Sequence, residues 1–348
     1  MVVCLFVCML CVILDIVFIT KLMGKGKNSV KATTDASSSV LTDASGNIIS
    51  DPSADPSDTT EPAATSTAVQ TVDAETRAAN LAALSANVND YLSKQSGRYS
   101  VYYLNLNNGE TLAYKETTPY IAASAIKLAY NTYLYEKVAA GEIDLSEKMA
   151  YNAAPYPEGD LEYGTGTIQN SADGTEYTLQ QVSTLSITIS DNCATNMLLR
   201  RLGGEDAVNN SYMKPISCVV DYREKVTYTD YCGNSVSGRR RTCALDLALY
   251  AQHLYQDYQN NPEAFQPLIN DLCNTEYNWG VADGVPSDIS VAHKVGFRDQ
   301  TYNDIGIVFA TEDYVLCFTT ETGDAVTAQQ VMREVSRMIY EYVVSNYA

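Results

Sequence analysis

The chain has 348 residues, 46% of them hydrophobic, with a formal net charge of −19 and an isoelectric point near 4.4. This length can supply one sizeable core or two lobes that share a site. The acidity excludes a nucleic-acid partner, because a phosphate footprint needs clustered Lys and Arg, and the basic cluster Arg239-Arg240-Arg241 is too short to provide one.

The chain begins with a nearly continuous apolar run over residues 2–20, which is long enough to cross a bilayer as a helix. A cleaved signal peptide is the alternative, but no small-x-small cleavage site follows the run. We therefore predict a membrane anchor over residues 1–22. Asp15 is costly within such a run, and the lysines that follow it favour a cytoplasmic domain by the positive-inside tendency.

Residues 23–72 are rich in Ser, Thr, Ala, Asp and Pro and cannot bury enough apolar surface to fold. They are predicted to be a disordered linker between the membrane and a domain at residues 73–348. An anchor followed by an acidic stalk and a domain indicates a membrane-anchored protein whose domain is extracellular. This order of segments is the stronger indication of orientation.

The chain contains nine cysteines, three in the predicted anchor and six in the predicted domain. None of them forms a CxxC pair, so we expect no zinc site and no other metal or cofactor. Six domain cysteines allow 15 disulfide pairings, and sequence does not choose among these pairings and buried free thiols.

The predicted domain begins with a helix capped by Asp73, followed by the segments RYSVYYLNL and ETLAYK around an Asn108-Gly109 turn. Apolar residues at helical spacing support the helix, and the Asn-Gly dipeptide between two strand-like segments indicates a β-hairpin. Residues 118–285 are mostly helical in pattern, and Thr178 with Gln181 forms a capping box.

Strand patterns return in the segments SVAHKV, NDIGIVFA and YVLCFTTE, and a final amphipathic helix follows them. Strands therefore flank a helical insertion, and helices lie at both ends of the domain. We predict an α+β fold, in which an antiparallel sheet is flanked by the N- and C-terminal helices and carries an inserted all-helical lobe.

Three short motifs stand out: Ser124-Ala-Ile-Lys127 at the start of a helical run, Ser190-Asp191-Asn192 between two helical patterns, and Lys294-Val295-Gly296 on a strand. Each alone is weak evidence, since a capped helix, a turn or a strand end explains it. Together, in this order, they resemble the signature of the penicillin-recognising serine enzymes, most closely the class A β-lactamases, whose motifs are S-x-x-K, S-D-N and K-T-G. The resemblance covers residues 75–348.

The spacing of the first motif has a chemical reason. Residues three apart share a helix face, so Lys127 can reach the Ser124 oxygen and act as a base. The resemblance implies that Ser124 is the nucleophile and that Ser190 relays a proton to the leaving nitrogen. Lys294 would be the second cation that lowers the pKa of Lys127.

The resemblance also implies the substrate contacts. Asn192 would hold the amide side chain of the substrate, and Gly296 lies in the strand motif that lines the site. The oxyanion would be bound by the backbone N–H of Ser124, at a helix start, and by that of Phe297.

Rival catalytic residues are few. His253 falls within a helical pattern and is given no role. His293 adjoins Lys294 on a strand and should therefore face away from the site. Since the sequence contains no G-x-S-x-G elbow, we do not expect a Ser-His-Asp triad.

The chain departs from the family pattern at two places. Val295 replaces the family's Thr and cannot donate a hydrogen bond to a substrate carboxylate; Arg298 is either a replacement contact or an exposed charge at the strand end. Glu224 lies near the position of the family's deacylation base, but Tyr228 replaces the Asn expected four residues later. Glu224 is therefore either a possible deacylation base or, by preference, an exposed loop residue.

Three hypotheses follow. The first is a monomeric serine acyl-transfer hydrolase of the class A β-lactamase type, which opens β-lactam rings through a Ser124 acyl-enzyme. The second is a D-Ala-D-Ala carboxypeptidase or transpeptidase of the cell wall that deacylates slowly. The third is a non-catalytic domain that binds or senses the cell wall, although such a domain has no evident need for both Lys127 and Lys294.

Overall fold

The computed structural model describes residues 71–347. The predicted anchor (1–22) lies outside the described residues, as does the predicted linker except for its last two residues. Thr71 forms a β-bridge with Tyr347, and the Val72 N–H donates to the Asn346 carbonyl at 3.0 Å, so the folded chain includes both. Within the described range, no helix has the length and apolarity that crossing a membrane requires.

Residues 71–347 contain eleven β-strands and nine α-helices. The strands are β1 (Arg98–Asn105), β2 (Thr111–Tyr114), β3 (Tyr120–Ile121), β4 (Lys148–Ala150), β5 (Glu176–Thr178), β6 (Thr227–Thr229), β7 (Ser235–Ser237), β8 (Arg241–Thr242), β9 (Ser290–Arg298), β10 (Thr301–Phe309) and β11 (Tyr314–Glu321). The helices are α1 (Ala74–Ser93), α2 (Lys127–Ala139), α3 (Leu179–Thr188), α4 (Asn192–Arg201), α5 (Glu205–Val208), α6 (Lys214–Ile216), α7 (Ala244–Asn260), α8 (Pro262–Cys273) and α9 (Ala325–Ser345).

Five strands form the main antiparallel sheet, in the order β2-β1-β11-β10-β9. The predicted hairpin joins β1 to β2, and Gly109 in its turn has φ 79°, a conformation that favours glycine. Helices α1 and α9 pack on one face of this sheet around a buried apolar cluster that includes Val88 and Val335. Asp73 caps α1 as predicted, since its carboxylate accepts the N–H of Thr76.

Most of the chain between β2 and β9 forms the helical lobe, whose apolar core continues onto the other face of the sheet. The predicted capping box is present, because Thr178 and Gln181 each accept the other's backbone N–H. The α+β architecture with a helical insertion is confirmed. The insertion also contains three two-stranded ribbons that the sequence pattern missed, because strands of two or three residues are too short to show alternation.

The six cysteines in the described residues are free thiols, and Cys193, Cys243 and Cys317 are buried. The question of disulfide pairing, which the sequence left open, is thereby answered for this part of the chain. Burial raises the pKa of the Cys317 thiol well above its ordinary value, as expected for a thiol that packs as a small apolar side chain.

Candidate active site

Ser124 lies in a 3₁₀ turn, Ala123–Ile126, that leads directly into α2. The turn begins with a left-handed residue, Ala123 at φ 47°, a conformation that costs a non-glycine residue about 1–2 kcal/mol. Such strain is held by the surrounding structure and clusters at functional sites. Among residues 71–347, no side chain or backbone group is hydrogen-bonded to the Ser124 hydroxyl, which leaves it available to a base and a substrate.

Lys127, one turn after Ser124, joins two of the three motifs. Its ammonium nitrogen Nζ donates to the Ser190 carbonyl at 2.8 Å, to Asn192 Oδ1 at 2.9 Å and to Ser190 Oγ at 3.3 Å. These three acceptors match the three N–H donors of a charged lysine. The lysine is 5% exposed, so the contacts are made almost entirely out of solvent.

Burial lowers the pKa of Lys127 to about 8, although the nearby carboxylates of Asp191 and Glu162 favour its charged form. At pH 7 about one molecule in ten would therefore carry a neutral Lys127, which can accept a proton. The sequence interpretation assigned this lowering to burial beside a second cation, Lys294. Burial is the dominant cause in the structure, and Lys294 is not among the causes that act on Lys127.

Lys294 is fully buried on β9, where its Nζ donates to the Val295 carbonyl at 2.9 Å and lies 5.7 Å from the ring centroid of Tyr277. Burial, and then repulsion from Lys127, lower its pKa well below the ordinary value, while Asp304 acts in the opposite direction. The two lysines therefore do influence each other, and the effect falls on Lys294. The ring face of Tyr277 is a favourable neighbour for a cation.

Strand β9 brings the third motif against the nucleophile turn at Gly296. A Cβ atom on Gly296 would lie 2.4 Å from the Ala125 nitrogen and 2.8 Å from the Ser124 nitrogen. Glycine is therefore required sterically, because any side chain would push the strand away from the turn. The adjacent Phe297 is 37% exposed, and its ring centroid is 6.2 Å from that of Tyr277.

Asp191 organises the turn between α3 and α4, a role that the sequence analysis did not assign. Its fully buried carboxylate accepts the backbone N–H groups of Ala194, Thr167 and Ile168 at 2.9, 2.6 and 2.9 Å. It thus caps α4 and fastens the preceding loop, while Ser190 takes a left-handed φ of 55°. An Asp directly before a helical run is an N-cap signal, so the pattern could have predicted half of this role.

The two candidate residues beyond these motifs lie at the surface. Glu224 is exposed and its carboxylate lies 3.6 Å from Arg241; no described hydrogen bond joins it to Ser124 or Lys127. This position matches the preferred reading of Glu224 as an exposed loop residue. Arg298 is exposed at the end of β9 and forms no ion pair with another residue in the described range.

Val295 is 1% exposed and lies opposite Asp304 in the β9–β10 register. Neighbouring strand residues point to opposite faces, so Val295 and Lys294 lie on different faces of the sheet. His293 shares the face of Val295 and lies 3.1 Å from both carboxylate oxygens of Asp304, away from the Lys294 side chain as expected. His253 lies on α7 beside Glu136.

Comparison with known proteins agrees with this arrangement. The sequence model of one family, described as the Beta-lactamase enzyme family, matches residues 83–343. The chain belongs to this family. A β-lactamase of Streptomyces albus G is 31% identical over 253 residues, which are 70% of this chain and 77% of that protein.

Solved structures of this family share the fold. A variant of PBP-A in an acyl-enzyme complex with penicillin G is 25% identical with a TM-score of 0.64, and the match covers 76% of this chain and 97% of that one. A β-lactamase from Sphaerobacter thermophilus is 24% identical with a TM-score of 0.61, over 79% and 98% of the two chains. The protein is a class A β-lactamase-like serine hydrolase.

Proposed function

We propose that this serine hydrolase opens β-lactam rings by forming an acyl-enzyme on Ser124. The observation that carries the proposal is the buried Lys127, one turn from an unbonded serine hydroxyl and hydrogen-bonded to both Ser190 and Asn192. The β-lactamase relatives support the substrate class. Acylation and the accompanying proton transfers require only groups of this chain and of the substrate.

Neutral Lys127 accepts the Ser124 proton as Ser124 Oγ bonds to the carbonyl carbon of the ring. A neutral amine has two N–H groups, which serve the two shorter contacts to the Ser190 carbonyl and Asn192 Oδ1, so the 3.3 Å contact to Ser190 Oγ is given up and the lone pair is free for the Ser124 proton. When the ring C–N bond breaks, the nitrogen takes a proton through the Ser190 hydroxyl. Ser190 is then reprotonated from Lys127, which returns the amine to its starting state.

The negative charge that develops on the carbonyl oxygen needs donors fixed in advance. The backbone N–H of Ser124, held at the start of α2 by its contact with Gly296, supplies one, and the N–H of Phe297 on the same strand supplies the other. The ring carboxylate of a penicillin would meet Lys294 and the exposed guanidinium of Arg298, which alternate strand positions place on the same face of β9.

A second candidate is a cell-wall enzyme that acts on D-Ala-D-Ala ends and deacylates slowly. It is favoured by Glu224, whose exposed carboxylate lies against Arg241 and not against the acylation groups. Without a carboxylate to activate water, the ester on Ser124 would persist. The two candidates share the acylation step and differ in the fate of the acyl-enzyme.

Intact-protein mass spectrometry with a penicillin, combined with turnover of a chromogenic β-lactam, tests both candidates. We expect an adduct on the parent protein that is absent from Ser124→Ala. Repeated turnover supports the β-lactamase, and a persistent adduct supports the wall enzyme. The absence of both an adduct and turnover at high penicillin concentration would contradict both candidates and favour the non-catalytic hypothesis.

We also propose that the domain is tethered outside the membrane by residues 2–20, which lie beyond the described part of the chain. The proposal is supported by the apolar run and the Ser/Thr/Pro-rich stretch after it. Expressed full-length protein should sediment with membranes, and protease added to intact cells should release an active domain by cutting within residues 23–70. Recovery of uncut protein in the soluble fraction would contradict it.

A further inference from the structure

Helix α2 carries a second polar cluster in its last turns, away from Lys127. There Glu136 faces His253 and Asp257 of α7. His253 Nε2 lies 2.7 Å from Glu136 Oε1 and 3.7 Å from Asp257 Oδ2, and one ligand atom from each residue lies within 4.8 Å of the others. Two carboxylates and an imidazole are thus gathered between two helices of the same core.

Two buried oxygen atoms at this cluster have no hydrogen-bond partner. They are Asp257 Oδ2 and the phenol oxygen of Tyr212. Tyr212 is 2% exposed, and its ring meets the His253 ring edge-on at 5.6 Å. Burial, and then the nearby carboxylates of Glu136 and Asp257, raise its pKa. Native proteins rarely leave such groups unpaired, so an additional species between the helices would satisfy them.

We propose that Glu136, His253 and Asp257 form a binding site for a divalent transition-metal ion of the Zn²⁺ type, which joins α2 to α7. Imidazole nitrogen and carboxylate oxygen are ligands of Zn²⁺ at about 2.0–2.2 Å. A tetrahedral ion at such distances places its ligand atoms about 3.4 Å apart. Ligand atoms that already lie within 4.8 Å of one another reach this geometry through small side-chain adjustments.

The fourth ligand position of this site would be taken by water, as in open zinc sites with three protein ligands. The Tyr212 hydroxyl then has a partner in that water. The sequence predicted no metal site, because its cysteines form no CxxC pair. Local spacing could not indicate this site, since Glu136 and His253 are 117 residues apart along the chain.

Protons are the competing occupants of the cluster. The hydrogen bond that His253 donates to the Glu136 carboxylate raises the pKa of His253, and burial raises the pKa of Asp257 to about 6. A protonated His253 between the two carboxylates would offset one of their two negative charges without any metal. The experiment must therefore measure metal binding itself, and measure it above pH 7, where protons compete least.

Equilibrium dialysis of the purified full chain against Zn²⁺ at pH 7.5, followed by elemental analysis, should find one ion per chain. Asp257→Asn, which keeps the side-chain volume, should weaken binding at least tenfold, and His253→Gln should weaken it further. Glu263→Gln removes an exposed carboxylate from α8 and should leave binding unchanged. Cys218→Ser with Cys232→Ser should also keep the ion, which excludes binding by the two exposed thiols.

Co²⁺ provides a second readout, because its visible absorption bands are intense in a tetrahedral site and weak in an octahedral one. We expect tetrahedral bands in the parent protein and in Glu263→Gln, and their loss in Asp257→Asn. Excess Zn²⁺ should also raise the Tm of the parent and not that of Asp257→Asn. Absence of stoichiometric Zn²⁺, equal binding by parent and Asp257→Asn, or binding of Ca²⁺ in preference to Zn²⁺ would each overturn the proposal.

Discussion

Two regions that should cooperate in a β-lactamase differ sharply in burial and packing. The acylation cluster of Ser124, Lys127, Ser190 and Lys294 is built on α2, the α3–α4 turn and β9, and both lysines are buried. The loop at residues 218–243 is mostly exposed, and Glu224 within it points to Arg241. Acylation chemistry is thus set by the packed core, whereas deacylation would depend on a surface loop.

The residue that anchors this loop to the core is Tyr222, and not the acidic residue Glu224. Tyr222 is buried, and its hydroxyl is hydrogen-bonded to that of Tyr130, one turn after Lys127 on α2. Burying a tyrosine anchors this part of the loop, and the nearby Glu224 remains at the surface. The contrast predicts large effects from changes in the acylation cluster and small effects from changes in the loop.

Lys127→Ala should give the largest effect. Removing the general base should lower the second-order rate of acylation by about two to four orders of magnitude. Stopped-flow measurement with a fluorescent penicillin would show it. Lys137→Ala, on the same helix but paired with the exposed Glu142, is the matched control and should react like the parent. Acylation of Lys127→Ala at the parental rate would remove this lysine from the mechanism.

Gly296→Ala should have the second-largest effect on acylation. Its methyl group would lie 2.4 Å from the Ala125 nitrogen, so β9 must shift away from the nucleophile turn. We expect acylation to fall at least tenfold and stability to fall by about 1–3 kcal/mol, the usual cost of overpacking. Gly323→Ala is the control, because a Cβ there meets nothing within 4 Å. Parental acylation by Gly296→Ala would show that the donors at this turn need no such close contact.

The acylation rate should rise with pH and level off above an inflection near 8, the pKa to which burial lowers Lys127. The rate at pH 7 should then be about a tenth of the plateau, because the neutral amine is the reactive form. Rates measured from pH 6 to 9.5, with Lys127→Ala as the variant that lacks the inflection, test this. A flat profile across this range would mean that a group other than Lys127 limits the reaction.

The same lowered pKa has a consequence for stability. Between pH 8 and about 10.5 the unfolded chain holds a proton on Lys127 that the folded chain has released, so this residue makes the protein more stable as pH rises through that window. Below pH 8 both states are protonated and the cost of burying the charge is constant. Comparing denaturant midpoints of the parent and Lys127→Met across this window isolates the contribution of Lys127.

The residue pattern predicted the backbone of the site better than its electrostatics. Asp73, the Thr178 capping box and the Asn108-Gly109 turn are local signals, and each predicted a helix start or a turn that the structure contains. The dominant share of burial in the Lys127 pKa and the meeting of α2 with α7 depend on tertiary packing, which no local pattern encodes. The three ribbons escaped because their strands are two or three residues long, and two of the ribbons, β3–β8 and β4–β5, pair segments that are distant in sequence.

The smallest effect is expected from Glu224→Gln. The substitution keeps the side-chain volume and removes only an exposed ion pair with Arg241, worth about 0–1 kcal/mol. Acylation should be unchanged, and the rate at which the penicillin adduct is lost should change less than twofold. Following adduct decay by mass spectrometry after removal of free penicillin measures that rate directly.

Glu142→Gln, another exposed acid in a surface ion pair, controls for the loss of one negative charge. A tenfold slower decay in Glu224→Gln but not in Glu142→Gln would show that the loop moves to bring Glu224 to the ester when substrate is bound. The exposed position of Glu224 would then be a property of the free enzyme only. Equal decay in both variants and the parent would show that Glu224 does not activate the deacylating water, and slow decay in all three would favour the slowly deacylating wall enzyme.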